Sequence, residues 1–195
     1  LAGGVNRADA MSLANIAASV VVAKSGTAIA SPGEIIDQAG AATPPLDWPH
    51  WAATCQTWRD VGQKIGFANG CFDLLHPGHI FLLQSAAKQC DRLIVGLNSD
   101  SSVRKLKGDG RPAQPAERRA AAMIQLPFVD WVAIFDEDTP LQLVTALQPD
   151  FIFKGGDYSP EDVVGSDIVK ARGGEVRIIP TLGSHSSTRL ISNQS

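Results

Sequence analysis

A chain of 195 residues with 44% apolar side chains is long enough for one α/β domain with an appendage, and a chain of this size typically buries roughly 70% of its unfolded surface. The net charge of −3 gives no electrostatic case for nucleic acid as a bulk partner, so an anionic substrate needs a local basic cluster. Three dispersed cysteines (Cys55, Cys71, Cys90) without a Cys-x-x-Cys fit a reduced cytoplasmic protein better than a disulfide scaffold or a zinc site, and no apolar run approaches the ~20 residues of a membrane span.

The chain opens at Leu1 rather than Met, which suggests a piece of a longer polypeptide. Ile16 to Ala23 is apolar but short, with no cationic segment before it, and does not read as a signal peptide. Residues 1–38 form one block. Asp9 to Lys24 has the spacing of an alanine-rich helix with Asn6 as its cap, and Ser31-Pro32-Gly33-Glu34 reads as the cap of a short helix to Gln38. Two such helices bury little by themselves. Residues 39–47, with Gly40-Ala41-Ala42-Thr43-Pro44-Pro45, read as a linker to a second block, 48–195. Asp47 is placed to cap a helix running to about Val61. Trp48, Trp51, Cys55 and Trp58 fall three and four apart there and make one apolar face, expected to pack on the sheet that follows.

From Lys64 onward short apolar runs alternate with helical patterns. Strands are expected at Ile65–Ala68, Leu93–Leu97, Trp131–Phe135, Phe151–Phe153 and Val176–Ile179. Helices are expected at Pro77–Gln89, Ala116–Ile124, Pro140–Leu147, Pro160–Arg172 and Thr188–Ser192. Strands this apolar suit burial on both faces, and the alternation implies a doubly wound parallel sheet with right-handed crossovers. The fold class is therefore α/β, with a small helical N-terminal appendage. Ligands of such sheets bind beyond the carboxyl ends of the strands, and His76, Asn98, Asp136 and Gly155 all come just after a strand.

The first of these ends carries the densest chemistry. Gly70-Cys71-Phe72-Asp73-Leu74-Leu75-His76-Pro77-Gly78-His79 joins a strand to a helix start, where free N–H groups favour an anion. His76 and His79, three apart, share a helix face. Imidazoles there can hydrogen-bond a phosphate as charge builds on it. Pro77 loses no hydrogen bond in a first turn, and Gly78 lets a ligand approach the backbone. Two histidines that merely cap a helix are the plainer alternative; the glycine-broken frame favours function. A zinc reading is weaker because no third ligand lies nearby, so metal ligands stay unassigned.

Asn98 to Pro112 holds four cations within eight positions, followed by glycines, and reads as a loop able to fold over a triphosphate. Lys107 leads as a point charge beside flexible glycine, with Arg111 and Arg118 next; an ordinary solvated basic face is about equally compatible with any single one of them. In Lys154-Gly155-Gly156-Asp157-Tyr158, Gly155 permits close approach to a base or sugar and Asp157 can accept from hydroxyls. Gly183-Ser184-His185-Ser186-Ser187-Thr188 precedes a short apolar stretch, and Ser186, Ser187 and Thr188 at a helix start would make a second phosphate cradle.

The histidine segment resembles the His-x-Gly-His signature of the nucleotidyltransferase superfamily. More narrowly, Arg59 to Ile191 resembles the adenylyltransferases that make ADP-heptose from heptose 1-phosphate in bacterial lipopolysaccharide precursor synthesis. The likeness runs through Phe67 to His76, Val95-Gly96-Leu97-Asn98-Ser99-Asp100, Lys107-Gly108, Arg111-Pro112 and Val129-Asp130-Trp131, and is sharpest in Phe135-Asp136-Glu137-Asp138-Thr139-Pro140, Lys154 to Tyr158 and Gly173-Gly174-Glu175-Val176. Where relatives that use CTP carry Arg-Thr-x-Gly-Ile-Ser-Thr-Thr, this chain has Thr181 to Thr188, lacking the arginine and with His185 for isoleucine, which counts against a cytidylyltransferase. Residues 1–38 resemble the carboxyl end of a ribokinase-type sugar kinase through Leu13-Ala14-Asn15, Val20 to Lys24 and Gly26-Thr27-Ala28. The Gly-Ala-Gly-Asp segment of such kinases is absent, so no kinase activity is expected of this stretch, and its apolar face is expected to be partly exposed or to mediate association, a homo-oligomer included.

The resemblance implies a Rossmann-like nucleotidyltransferase fold and transfer of AMP from ATP, with Mg²⁺, to a sugar 1-phosphate (here D-glycero-β-D-manno-heptose 1-phosphate), releasing pyrophosphate. It implies catalytic roles for His76, His79 and Lys107. It implies nucleotide contacts from Cys71, Phe72, Gly78, Arg111, Gly155, Asp157, Ser186, Ser187 and Thr188. Neither nucleic acid nor a membrane is an expected partner. The alternatives are CMP transfer to a polyol phosphate and a nucleotide-binding remnant without turnover.

Overall fold

Five short apolar runs become five parallel strands: β1 (Ile65–Gly70), β2 (Arg92–Asn98), β3 (Trp131–Phe135), β4 (Phe151–Gly155) and β5 (Glu175–Ile179). The computed structural model describes residues 48–180, without the side chains of 48–50. The 1–38 appendage, the 39–47 linker, the Thr188–Ser192 helix and the residues Ser186, Ser187 and Thr188 lie outside the described residues.

The helices are α1 (Trp48–Asp60), α2 (Pro77–Ala87), α3 (Asp100–Lys107), α4 (Ala116–Ile124), α5 (Leu141–Leu147) and α6 (Ser166–Ala171). Strand order is β3-β2-β1-β4-β5, every neighbouring pair parallel, with Ala68 opposite Val95 on one side and Phe153 on the other. The chain winds from β1 out to β3, then crosses back to place β4 on the other side of β1. The order reverses between β1 and β4, and the crevice beyond their carboxyl ends is the switch point where such sheets bind ligands.

Period-two alternation divides the core. Ile65, Phe67, Ile94, Trp131, Ala133, Phe135 and Ile152 face α1, α5 and α6, joined by Cys55, Leu143, Val144, Leu147 and Val169. Ala68, Leu93, Val95, Leu97, Val132 and Phe153 face α2 and α4, joined by Leu83, Ala86 and Met123. The tryptophan face of α1 packs as its spacing predicts: Trp51 and Trp58 lie against the first cluster, with Trp58 edge-on to Trp131 at 6.4 Å. At the opposite edge of the sheet two aspartates set register. Asp130 accepts from the Leu93 N–H at 2.8 Å and from Arg92 at 2.8 Å, while Asp150 accepts from the Ile65 N–H at 2.9 Å and from Lys64 at 2.8 Å.

Three expectations are corrected. The helix expected over Pro160–Arg172 is two pieces, a 3₁₀ turn at Pro160–Asp162 and α6 from Ser166, because Gly165 at φ +87° interrupts it; a Cβ there would meet Val144 at 2.7 Å. The helix from Pro77 stops at Ala87 rather than Gln89. The segment read as a basic loop contains α3, capped by Ser99, whose hydroxyl accepts from the Ser102 N–H at 3.1 Å. It carries only two apolar residues: Val103 is fully buried while Leu106 is 59% exposed, so no apolar stripe announces it.

Candidate active site

Everything marked after β1 gathers at the head of α2. His76 is the N-cap residue, with extended backbone, and its carbonyl accepts from the N–H groups of His79 (2.9 Å) and Ile80 (3.2 Å). Pro77 has no N–H, which leaves the Gly78 N–H as a helix-mouth donor with no acceptor among the described residues. The helix mouth therefore offers fewer free donors than a bare helix start would. The imidazoles supply the rest of the polar surface.

The rings of His76 and His79 stack at 3.6 Å between centroids, 26° from parallel. His76 is buried on the protein side and also walls an open groove of about 500 Å³ with Leu75, Pro77, Ile80, Phe81 and Gln84. The Nδ1 atom of His79 is buried and has no hydrogen-bond partner among the described residues. Burial, then the neighbouring His76 and then the Lys107 charge hold the His79 pKa down at about 4, against an opposing backbone contact from Leu74. His79 is therefore neutral at pH 7 before an anion arrives over it. Gly78 has a second use beyond approach: a Cβ there would lie 3.1 Å from the His76 ring.

Phe72 braces the pair. Its backbone has φ +42°, rare outside glycine, and its buried ring meets His79 edge-on at 5.0 Å. Asp73 is buried next to it and accepts from the Ala113 N–H at 2.6 Å and from Arg111 Nε. Arg111 thus reaches the site with one edge engaged by Asp73, and its Nη2 is buried without a hydrogen-bond partner among the described residues. Lys107 is the last residue of α3, exposed, and close enough for its charge to act on both Cys71 and His79. Gly108 (φ +89°) stops the helix there, with open space around it. Burial raises the Cys71 thiol pKa, opposed by Lys107, Arg119 and Lys154, so the residue is a neutral wall of the site with three cations around it.

At the end of β4, a Cβ on Gly155 would make only an ordinary contact with Leu82 at 3.4 Å, and the position that demands glycine is Gly156, at φ +116°. Asp157 is exposed and makes no hydrogen bond among the described residues. Asp136 accepts from Ser99 and Ser101, which lowers its pKa and fastens the start of α3 to the end of β3.

Two residues escape a reading for exposed cations. Arg118 is exposed and contributes nothing visible, whereas its neighbour Arg119 is 2% exposed and binds three acceptors: the Cys71 carbonyl, the Gln114 carbonyl at 3.0 Å and Asp100 at 2.7 Å. The signal was present in α4, where Ala116, Arg119 and Met123 form the buried stripe, an arginine on an apolar face. Lys154 is the other, half-buried at the end of β4.

Among the described residues no three of His, Cys, Asp and Glu group to hold a metal ion, and no helix is long and apolar enough to cross a membrane. The family model described as cytidylyltransferase-like matches residues 67–180, which span all five strand ends just described except the start of β1. Relatives include the bifunctional protein HldE of Hyphomonas neptunium, 48% identical over 98% of this chain, and that of Nitrobacter winogradskyi, 50% identical over 98%. The chain spans only about 40% of the length of these relatives. Among solved structures, a lipopolysaccharide core biosynthesis protein from Thermoplasma volcanium aligns over its whole length with 64% of this chain, at TM-score 0.52 and 27% identity.

Proposed function

This chain belongs to the cytidylyltransferase-like family, and from that premise we propose that it transfers AMP from ATP to D-glycero-β-D-manno-heptose 1-phosphate, giving ADP-heptose and pyrophosphate. One observation carries the chemistry: two imidazoles stacked at 3.6 Å over the mouth of α2, beside the switch point of the sheet. The sugar phosphate oxygen attacks the α-phosphorus in line, the bond to the bridging oxygen of the pyrophosphate breaks, and pyrophosphate leaves with that electron pair. His76 and His79 hydrogen-bond the charge that gathers on the phosphate oxygens, aided by the Gly78 N–H. Lys107 and the outer edge of Arg111 neutralise the triphosphate. Positioning and charge stabilisation suffice, and no covalent enzyme intermediate is needed.

The described residues offer no cluster for a resident metal, so Mg²⁺ is proposed to arrive on the triphosphate as part of the substrate, held by phosphate oxygens and water. The choice of a heptose phosphate rests on the likeness of this chain to the HldE proteins over nearly its whole length and on the lipopolysaccharide core biosynthesis protein that shares its fold. A reduced cytosolic setting, in keeping with three free cysteines, is part of the same proposal.

The test is pyrophosphate release from ATP and heptose 1-phosphate, run beside CTP, in the wild-type chain and in His76→Ala. Loss of about 10²–10³ in kcat is expected, the effect of removing one such stabiliser. A loss of only a few-fold, or a preference for CTP, would refute the proposal.

A further inference from the structure

Lys154 occupies an unusual place for a cation. It is half-buried at the carboxyl end of β4, one residue past the Ala68–Phe153 register pair, and so lies beside Asn69 at the end of β1. This is the switch point itself. Its ammonium lies 3.4 Å from Asn69 Oδ1 and 5.5 Å from the ring of Tyr158, which is itself 51% exposed. No carboxylate acts on it among the described residues, and burial pushes its pKa down. A partly buried ammonium whose contacts among the described residues are one long amide contact and an exposed ring is unfavourable unless an anion completes it. Asn69, with its oxygen toward Lys154, leaves its amide Nδ2 without an acceptor among the described residues, so both groups present donors to the same space. By strand parity Lys154 and Asn69 share the sheet face of Ile152 and Phe67, whereas Phe72 and the α2 core belong to the other face.

We propose that Lys154, with Asn69, is a phosphoryl-group ligand of this site that holds one of the reacting phosphates from the side of the sheet edge opposite the paired histidines. The inference rests on the adenylyl-transfer reading only for its two candidate ligands, a phosphate of the nucleotide or the phosphate of the sugar. The shared chemistry is an anionic phosphoryl oxygen accepting from an ammonium and an amide. Such charge-assisted bonds carry about 10- to 100-fold in affinity.

The experiment compares wild type, Lys154→Met and Lys154→Arg. Thermal midpoints are measured in buffer, with Mg²⁺ and ATP, and with inorganic phosphate; KM is measured for ATP and for heptose 1-phosphate. Lys154→Met should match or exceed wild type in bare buffer, because an uncompensated cation is gone, and should lose the anion-induced rise, which Lys154→Arg keeps. One KM should rise about 10- to 100-fold in Lys154→Met; that for ATP assigns a nucleotide phosphate, that for the sugar phosphate assigns the acceptor. The anion-induced rise decides the matter: lost in Met and kept in Arg supports the inference, and any other pattern overturns it. Should the wild type bind ATP yet turn over no sugar phosphate, the proposed reaction fails while the midpoint comparison still decides the role of Lys154.

Discussion

Arg119 donates through Nη1 to the main-chain carbonyl of Cys71, across 48 residues of sequence, while Nη2 grips Asp100 at 2.7 Å. One buried guanidinium thereby ties the turn after β1 to the start of α3, and through α3 it sets where Lys107 stands. The residue touches no reacting atom in the proposed reaction. It is a positioning residue.

Replacing Arg119 by Met should destabilise the fold by about 3 kcal/mol, since two carbonyls and one carboxylate lose their donor. Arg119→Lys can meet only one of the three acceptors and should fall between. In protein that remains folded, kcat should drop about 10²-fold, the typical effect of shifting reacting groups by about 1 Å. Urea denaturation and pyrophosphate release measure the two effects. A stable Arg119→Met chain with full turnover would show that the turn and α3 hold their places without it.

How much of this was legible in residues alone follows from what each residue is asked to do. The five strands were readable because burial on both faces forces apolar runs, and Trp131–Phe135 and Ala116–Ile124 came out with their observed bounds. The helix α3 was not, because it hangs from one buried valine and a serine cap rather than an apolar stripe. The gathering of His76, Gly78 and His79 at the head of α2 was readable because their spacing after a strand is local. Asp73, Arg119 and Lys154 take their meaning from partners 19 to 85 residues away. No window of sequence contains such a pair. The need for glycine at 156 rather than 155 is a matter of backbone handedness, which a Gly-Gly pair leaves undetermined.

Asp73 neutralises Arg111 where neither is well solvated, their side chains 0% and 13% exposed. Asp73→Asn keeps the shape but leaves the guanidinium uncompensated, and should cost about 3 kcal/mol in the absence of ligand. The same change frees Arg111 for phosphate. ATP should therefore raise the thermal midpoint of Asp73→Asn by more than it raises that of wild type. Equal shifts in the two proteins would mean that Arg111 does not reach the nucleotide.

Gly78→Ala separates geometry from stability. Alanine is a good residue for a first helical turn, so unfolding by urea should change little. Its Cβ, however, would press the His76 ring at 3.1 Å and displace it by a few tenths of an ångström from its stack on His79. About tenfold lower kcat is expected from so small a shift in a stabilising donor, with KM for ATP near the wild-type value. Unchanged kcat would show that the His76 ring tolerates displacement.

His79 makes stability depend on pH, and the sign is fixed by its surroundings. Burial, then the neighbouring His76 and then the Lys107 charge depress its pKa to about 4 in the folded chain, against an ordinary value of 6.5. Between those two values the unfolded chain binds the proton and the folded chain does not, so stability rises with pH across the window. The contribution is whole above about pH 6.5 and is lost as the pH falls through about 4, to a total on the order of 3 kcal/mol. Carboxylates such as Asp136, whose pKa is lowered by Ser101 and Ser99, also lose stabilisation on acidification, so the informative quantity is a difference between proteins. Wild type and His79→Gln should be unfolded with urea at pH 7 and at pH 4.5. The wild type should lose about 2 kcal/mol more than the variant over that interval. ATP should flatten the wild-type curve, because an anion over the stacked rings favours protonated His79 and lifts its depressed pKa toward the ordinary value. Parallel losses in the two proteins would mean that His79 is already able to take up its proton in the folded state, and with that the neutral resting His79 would be gone.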